Sequence, residues 1–129
     1  MPEWCWLNGQ VLPLADAKVS VEDRGFQFAD GVYEAVRLYD GKPFELGMHL
    51  ERLARSCHGI RLPLSISRET LASEILKLVK HSGVRDGYVY LQMTRGASAR
   101  NHCFPAQLKP TTLFYARELP PLPNPVMAQ

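Results

Sequence analysis

Residues 32–39 alternate in side-chain character and run directly into Asp40-Gly41. Val32, Glu34, Val36 and Leu38 fall on one face of an extended chain, and Tyr33, Ala35, Arg37 and Tyr39 on the other, because successive strand side chains point to opposite sides. Asp and Gly tolerate the positive φ of a two-residue type I′ turn. The strand is therefore predicted to fold back, with residues 42–46 as its return. Asn8-Gly9 repeats the signal between a strand at 4–7 and a return at 10–12, which Pro13 ends. Two such hairpins commit a short chain to a sheet whose neighbouring strands run mainly antiparallel.

The rest of the chain supplies partners for that sheet. Residues 87–94 read as a strand with Val89, Leu91 and Met93 towards a core, and residues 111–117, rich in Thr, Phe and Tyr, as another. Between the second hairpin and these strands lie two helical patterns. Residues 47–60 carry an apolar stripe of Leu50, Leu53, Ala54, Cys57 and Ile60, and Leu62-Pro63 breaks the pattern. Ser67 is a good N-cap for a helix running to about His81, with Leu71, Ala72, Ile75, Leu78 and Val79 buried and Gly83 as its stop. The expected fold class is α+β: a small antiparallel-leaning sheet with two helices packed on one face. Residues 14–20 read as irregular, and Trp4 and Trp6 as cover for a core edge. Gly25 and Gly31, set among acidic residues and two phenylalanines, predict sharp backbone turns.

Bulk properties exclude several functions. The 129 residues suffice for one small domain with a real core. A net charge of +2 is too small for a nucleic-acid footprint. No apolar run spans a bilayer and no leader pattern opens the sequence. Cys5, Cys57 and Cys103 are odd in number and far apart, and the four histidines lack metal-ligand spacing. Neither a metal site nor a disulfide framework is expected, and a reducing cytoplasm is the natural compartment. The run Leu119-Pro120-Pro121-Leu122-Pro123-Asn124-Pro125 reads as an extended, stiff linker. The predicted organisation is thus a domain at 1–118 and a linker stub at 119–129, a piece of a longer two-domain protein.

Three stretches carry chemistry. Arg95-Gly96-Ala97-Ser98-Ala99-Arg100-Asn101-His102 is a small-residue loop at a strand end. Arg100 offers a bidentate fork to a carboxylate, and His102 a further donor. On pattern alone, a solvated basic loop is the commoner case. His49 and Arg52 are neighbours on a helix surface, off the apolar stripe. A solvent-facing arginine is the ordinary reading there, and a phosphate clamp the functional one. Tyr33 beside small Ala35 fits a pocket wall or a packed sheet face, and the pattern favours packing.

Together the motifs resemble those of a known family. Asp23-Arg24-Gly25-Phe26-Gln27-Phe28-Ala29-Asp30-Gly31-Val32-Tyr33-Glu34 resembles the signature of fold-type IV pyridoxal-phosphate enzymes, as does His49-Leu50-Glu51-Arg52-Leu53. The loop from Thr94 to Pro105 resembles the carboxylate trap of D-amino-acid transaminases. The resemblance implies an N-terminal aminotransferase domain acting on a D-amino acid and a 2-oxo acid, with pyridoxal 5′-phosphate as cofactor. It implies that Arg52 binds the cofactor phosphate with His49 beside it. Tyr33, Arg100 and His102 would hold the substrate carboxylate, and Ala35 would line the side-chain pocket. In such homodimers Arg100 and His102 serve the neighbouring subunit's site. The lysine that bonds the cofactor lies in the family's second domain; Lys18, Lys42, Lys77, Lys80 and Lys109 have no matching context. No catalytic residue is therefore expected in this chain, which alone should be inactive and should self-associate. Aminodeoxychorismate lyases and branched-chain aminotransferases share the first two motifs, and a non-catalytic self-associating module is the reading from another class.

Overall fold

Strand β5 (Gly87–Thr94) is the spine of the molecule, pairing along its whole length with β3 (Gly31–Tyr39) on one side and β6 (Thr111–Glu118) on the other. The computed structural model describes residues 2–120. Strand β1 (Trp4–Leu7) adds to β6, β2 (Gln10–Pro13) to β1, and the short β4 (Lys42–Pro43) to β3. The six-stranded sheet has the order β2-β1-β6-β5-β3-β4 and every pairing is antiparallel.

Both hairpin turns form as their residues dictate. Asn8 and Gly9 have φ of 50° and 96°, and Asp40 and Gly41 have φ of 50° and 76°, the two positive values that a type I′ turn requires. The return strand of the second hairpin is shorter than predicted, ending at Pro43 rather than residue 46. Pro43 has no N–H to continue a ladder, and Glu45 turns into the left-handed region at φ 56° to start helix α2 (Leu46–Gly59).

One face of the sheet is the core. Val36 and Leu38, Val89, Leu91 and Met93, and Phe114 and Ala116 are all buried there. Helix α2 covers β3, and helix α3 (Arg68–Ser82) covers β6 and β1. The predicted stripes hold: Leu50, Leu53 and Cys57 on α2 and Leu71, Ile75, Leu78 and Val79 on α3 are buried. Ser67 caps α3 by accepting the Thr70 N–H at 3.1 Å, and Gly83 ends it at φ 73°. Trp6 stacks on Phe114 with ring centroids 4.8 Å apart, and Trp4 meets His81 edge-on. The two tryptophans therefore close the core edge, as their position suggested.

The opposite face is open and aromatic. The pairing register brings Ala35, Tyr90 and Tyr115 into line across it, and Tyr33 lies above Tyr90. Tyr33 stacks on Tyr90 with ring centroids 5.9 Å apart and is 66% exposed, so it packs along the sheet face while its outer side stays open.

The segment between the first hairpin and β3 departs most from expectation. Residues 14–16 form a short 3₁₀ turn rather than irregular chain. Arg24–Phe28 form a helical turn, α1, capped by the Asp23 carboxylate on the Gly25 N–H at 2.8 Å. Neither Gly25 nor Gly31 makes a left-handed turn; Ala29 does, at φ 54°. The glycines are needed for close approach. A Cβ on Gly31 would lie 2.6 Å from the Met93 carbonyl oxygen, and one on Gly25 would run into the Thr94 side chain. Among the described residues, no helix is long and apolar enough to cross a membrane. The proline-rich run from Pro121 onward lies outside the described residues.

Candidate functional site

Glu34 sits on the core-facing side of β3, between Val32 and Val36, and is 3% exposed. A buried carboxylate needs partners. Helix α2 supplies two, because His49 and Arg52 lie one turn apart on the face turned towards β3. Arg52 donates from Nε to Glu34 Oε2 at 2.9 Å and from Nη2 to Oε1 at 2.8 Å. His49 donates from Nδ1 to Oε1 at 2.7 Å, since an ionised carboxylate only accepts. Burial alone would raise the Glu34 carboxyl, but the hydrogen bonds and charges of Arg52 and His49 hold it below its ordinary value. The guanidinium is in turn held more firmly protonated by Glu34.

This arrangement fixes a cation at the surface. One edge of the Arg52 fork is spent on Glu34, yet the side chain remains 60% exposed, and Nη1 has no hydrogen-bond partner among the described residues. A rigid, planar, outward-facing donor edge suits a phosphate oxygen. The predicted pair His49 and Arg52 is thus brought together, and Tyr33 and Ala35 share the adjoining open face. Glu34 is the member of this cluster that the sequence reading did not single out. Its signal was available: a lone acid in an otherwise apolar alternation.

Arg100 and His102 occupy a second place. Their loop leaves β5 at Thr94 and packs on α1. The Arg100 guanidinium lies 5.5 Å from the Phe28 ring centre, and the His102 ring 5.4 Å from it. Both side chains are exposed. Among the described residues they make no hydrogen bond or ring contact with Tyr33, Ala35, His49 or Arg52. Within one chain, the predicted site is therefore two separate groups.

Arg95, in contrast, is not part of a solvated loop. It is 2% exposed and donates Nε to Asp30 at 2.8 Å, Nη1 to the Arg61 carbonyl at 3.1 Å and Nη2 to the Ile60 carbonyl at 2.6 Å. Asp30 also accepts from Arg24 Nε at 2.9 Å. Burial would raise the Asp30 carboxyl, but the two arginines hold it below its usual range. No group of three or more His, Cys, Asp or Glu suited to a metal exists among the described residues.

Known proteins share both the sequence pattern and this fold. Residues 31–128 match the amino-transferase class IV family. D-alanine aminotransferase of Staphylococcus haemolyticus is 42% identical over 113 residues, covering 87% of this chain and 40% of that protein. The chain thus spans about two fifths of the length of the curated relatives it matches. The crystal structure of 4-amino-4-deoxychorismate lyase from Pseudomonas aeruginosa superposes with a TM-score of 0.77 at 31% identity, over 92% of this chain and 41% of that one. A T.th. branched-chain amino acid aminotransferase, complexed with N-(5′-phosphopyridoxyl)-L-glutamate, gives 0.84 at 25% identity, over 92% and 41%. The α+β sheet-and-helix fold expected from the sequence is the fold of these proteins' matching part. By its family match and by its D-alanine aminotransferase relatives, this chain belongs to the class IV aminotransferases.

Proposed function

We propose that this chain is the substrate- and phosphate-binding portion of a D-amino-acid transaminase, which moves an amino group between a D-amino acid and a 2-oxo acid. The observation that carries this reading is the Glu34-anchored Arg52 fork, set beside the open Tyr33 face. Its donors fit the phosphate of pyridoxal 5′-phosphate, and Arg52, oriented by Glu34 and steadied by His49, would hold it. The bound cofactor supplies an electron sink for charge developing at the substrate Cα. The chain's own residues do the positioning. Tyr33 and Ala35 border the substrate, the phenol as a donor and the methyl as a small wall. Arg100 and His102 grip the α-carboxylate, which fixes the direction of the Cα–H bond.

The family resemblance implies that those two residues serve the neighbouring subunit of a homodimer, and their lack of contact with Tyr33 in one chain fits that assignment. The exposed apolar side chains Val19, Val21 and Phe26 beside α1 support a protein surface on that side. The D-alanine aminotransferase relatives favour D-amino acids over the alternatives. The likeness to the lyase at 31% identity keeps that chemistry as the second reading.

A substrate panel tests the proposal. The protein encoded by the whole reading frame containing this chain is assayed with D-alanine plus 2-oxoglutarate, with L-leucine plus 2-oxoglutarate, and with aminodeoxychorismate. D-alanine is expected to dominate; preference for either of the others would replace the proposal. The isolated chain of 129 residues is expected to show no turnover, having no lysine in a cofactor-bonding context.

A further inference from the structure

The Arg100–His102 loop is small, polar and exposed, and such a loop loses entropy when it grips a ligand unless it is already held. The structure shows what holds it. Arg24 reaches from α1 and donates Nη1 to the Asn101 carbonyl and, at 3.4 Å, to the Cys103 carbonyl. Phe104 lies over Arg95, with the guanidinium 3.7 Å from the ring centre. Arg95 is itself fixed by the Ile60 and Arg61 carbonyls at the end of α2 and by Asp30. Asp30 joins the two arginines, accepting from both at one oxygen. The backbone adds a further tie, from the Arg95 N–H to the Asp30 carbonyl at 3.1 Å.

We propose that Arg24, Asp30, Arg95 and Phe104 form a lock that pre-sets the Arg100–His102 loop for the substrate carboxylate, with Arg24 and Arg95 as positioning residues. This inference rests on the proposed transaminase reading only for the identity of the ligand. Two buried guanidiniums sharing one carboxylate are an expensive arrangement for a loop that merely connects strands. The hydrogen bonds of the two arginines run to the loop's backbone, to the helix end beside it, or to Asp30. Phe104 and the carbonyls of Asn101 and Cys103 flank His102 in sequence. Fixing them fixes the residue between.

The test uses the whole-frame protein and two readouts. Hydrogen exchange of residues 97–104 reads the lock directly. Phe104→Ala and Arg24→Lys should raise it by about 10-fold while α2 and α3 keep wild-type protection. Steady-state kinetics read its purpose. KM for D-alanine should rise about 10-fold with kcat changed less than about 3-fold, and KM for an amine donor without a carboxylate should hold. Phe104→Tyr, which keeps a ring over Arg95, should bring both readouts back towards wild type. Unchanged loop exchange in both variants overturns the lock. A loosened loop with an unchanged KM for D-alanine overturns its role in carboxylate binding. If the wild-type protein does not use D-alanine at all, the transaminase reading has failed, and the exchange measurement alone decides the lock.

Discussion

Glu34 grips Arg52 with both carboxylate oxygens, at 2.9 and 2.8 Å, from a position on the buried side of β3. A strand thereby dictates the orientation of a cation carried by a helix. Glu34→Gln keeps the shape and one acceptor but loses the charge that aligns the fork. In the whole-frame protein the variant should bind pyridoxal 5′-phosphate about 10-fold more weakly. Fluorescence titration of the cofactor measures this, and an unchanged affinity would show that Arg52 needs no alignment.

Acid stability should report the two arginine-paired carboxylates, Asp30 and Glu34. In an unfolded chain Asp and Glu titrate near 4, and in the folded chain both Asp30 and Glu34 titrate lower. Their contribution is whole above about pH 5 and is lost as pH falls through the folded-state values. Asp30 should carry the larger share, because Arg24 and Arg95 are buried while water screens Arg52. Asp30→Asn should lower Tm at pH 7 and flatten the fall of Tm between about pH 5 and 3, measured by thermal melts in steps of pH. Parallel curves for the variant and wild type would contradict this.

Two glycines should respond oppositely to alanine. Gly31→Ala drives a methyl towards the Met93 carbonyl, a backbone atom that cannot step aside, and should cost about 2 kcal/mol or more. Gly47 lies in the first turn of α2 with nothing within 4 Å of an added Cβ, so Gly47→Ala should stabilise by about 0.5 kcal/mol. Urea unfolding of both variants checks the signs.

These glycines also mark where the sequence stopped being legible. Period-two alternation and the Asn8-Gly9 and Asp40-Gly41 turns predicted the hairpins because such signals are local. The stripes of α2 and α3 were equally local. Gly31, in contrast, is a glycine because of the Met93 carbonyl, far along the chain, and no local rule distinguishes that from a turn. The same holds for charges. His49 and Arg52 were readable as neighbours because they share a helix, but Glu34 joins them only once β3 and α2 pack. Arg95 looked like one more solvated loop charge, and only Asp30, Ile60 and Arg61, all distant in sequence, make it a buried post. The separation of Arg100 and His102 from Tyr33 within one chain is likewise a property of the folded sheet.

The thiols give a simple check on the core. Burial pushes the Cys5 and Cys57 thiols up, and both are shielded, whereas Cys103 is exposed on the loop. In the isolated chain a disulfide reagent should titrate the Cys103 thiol rapidly and the other two only on unfolding. Fast reaction of a second thiol would contradict the packing described for β1 or α2.

The most direct measurement of the central claim is kcat/KM for D-alanine in the whole-frame protein before and after Arg100→Ala. Losing a charged fork on the substrate carboxylate should lower it by about 100-fold, while cofactor affinity, assigned in the proposal to Arg52, should stay at the wild-type value. A variant that turns over D-alanine as efficiently as wild type would contradict the assignment of this loop as the substrate grip, and with it the reading of the chain as the substrate-binding part of a D-amino-acid transaminase.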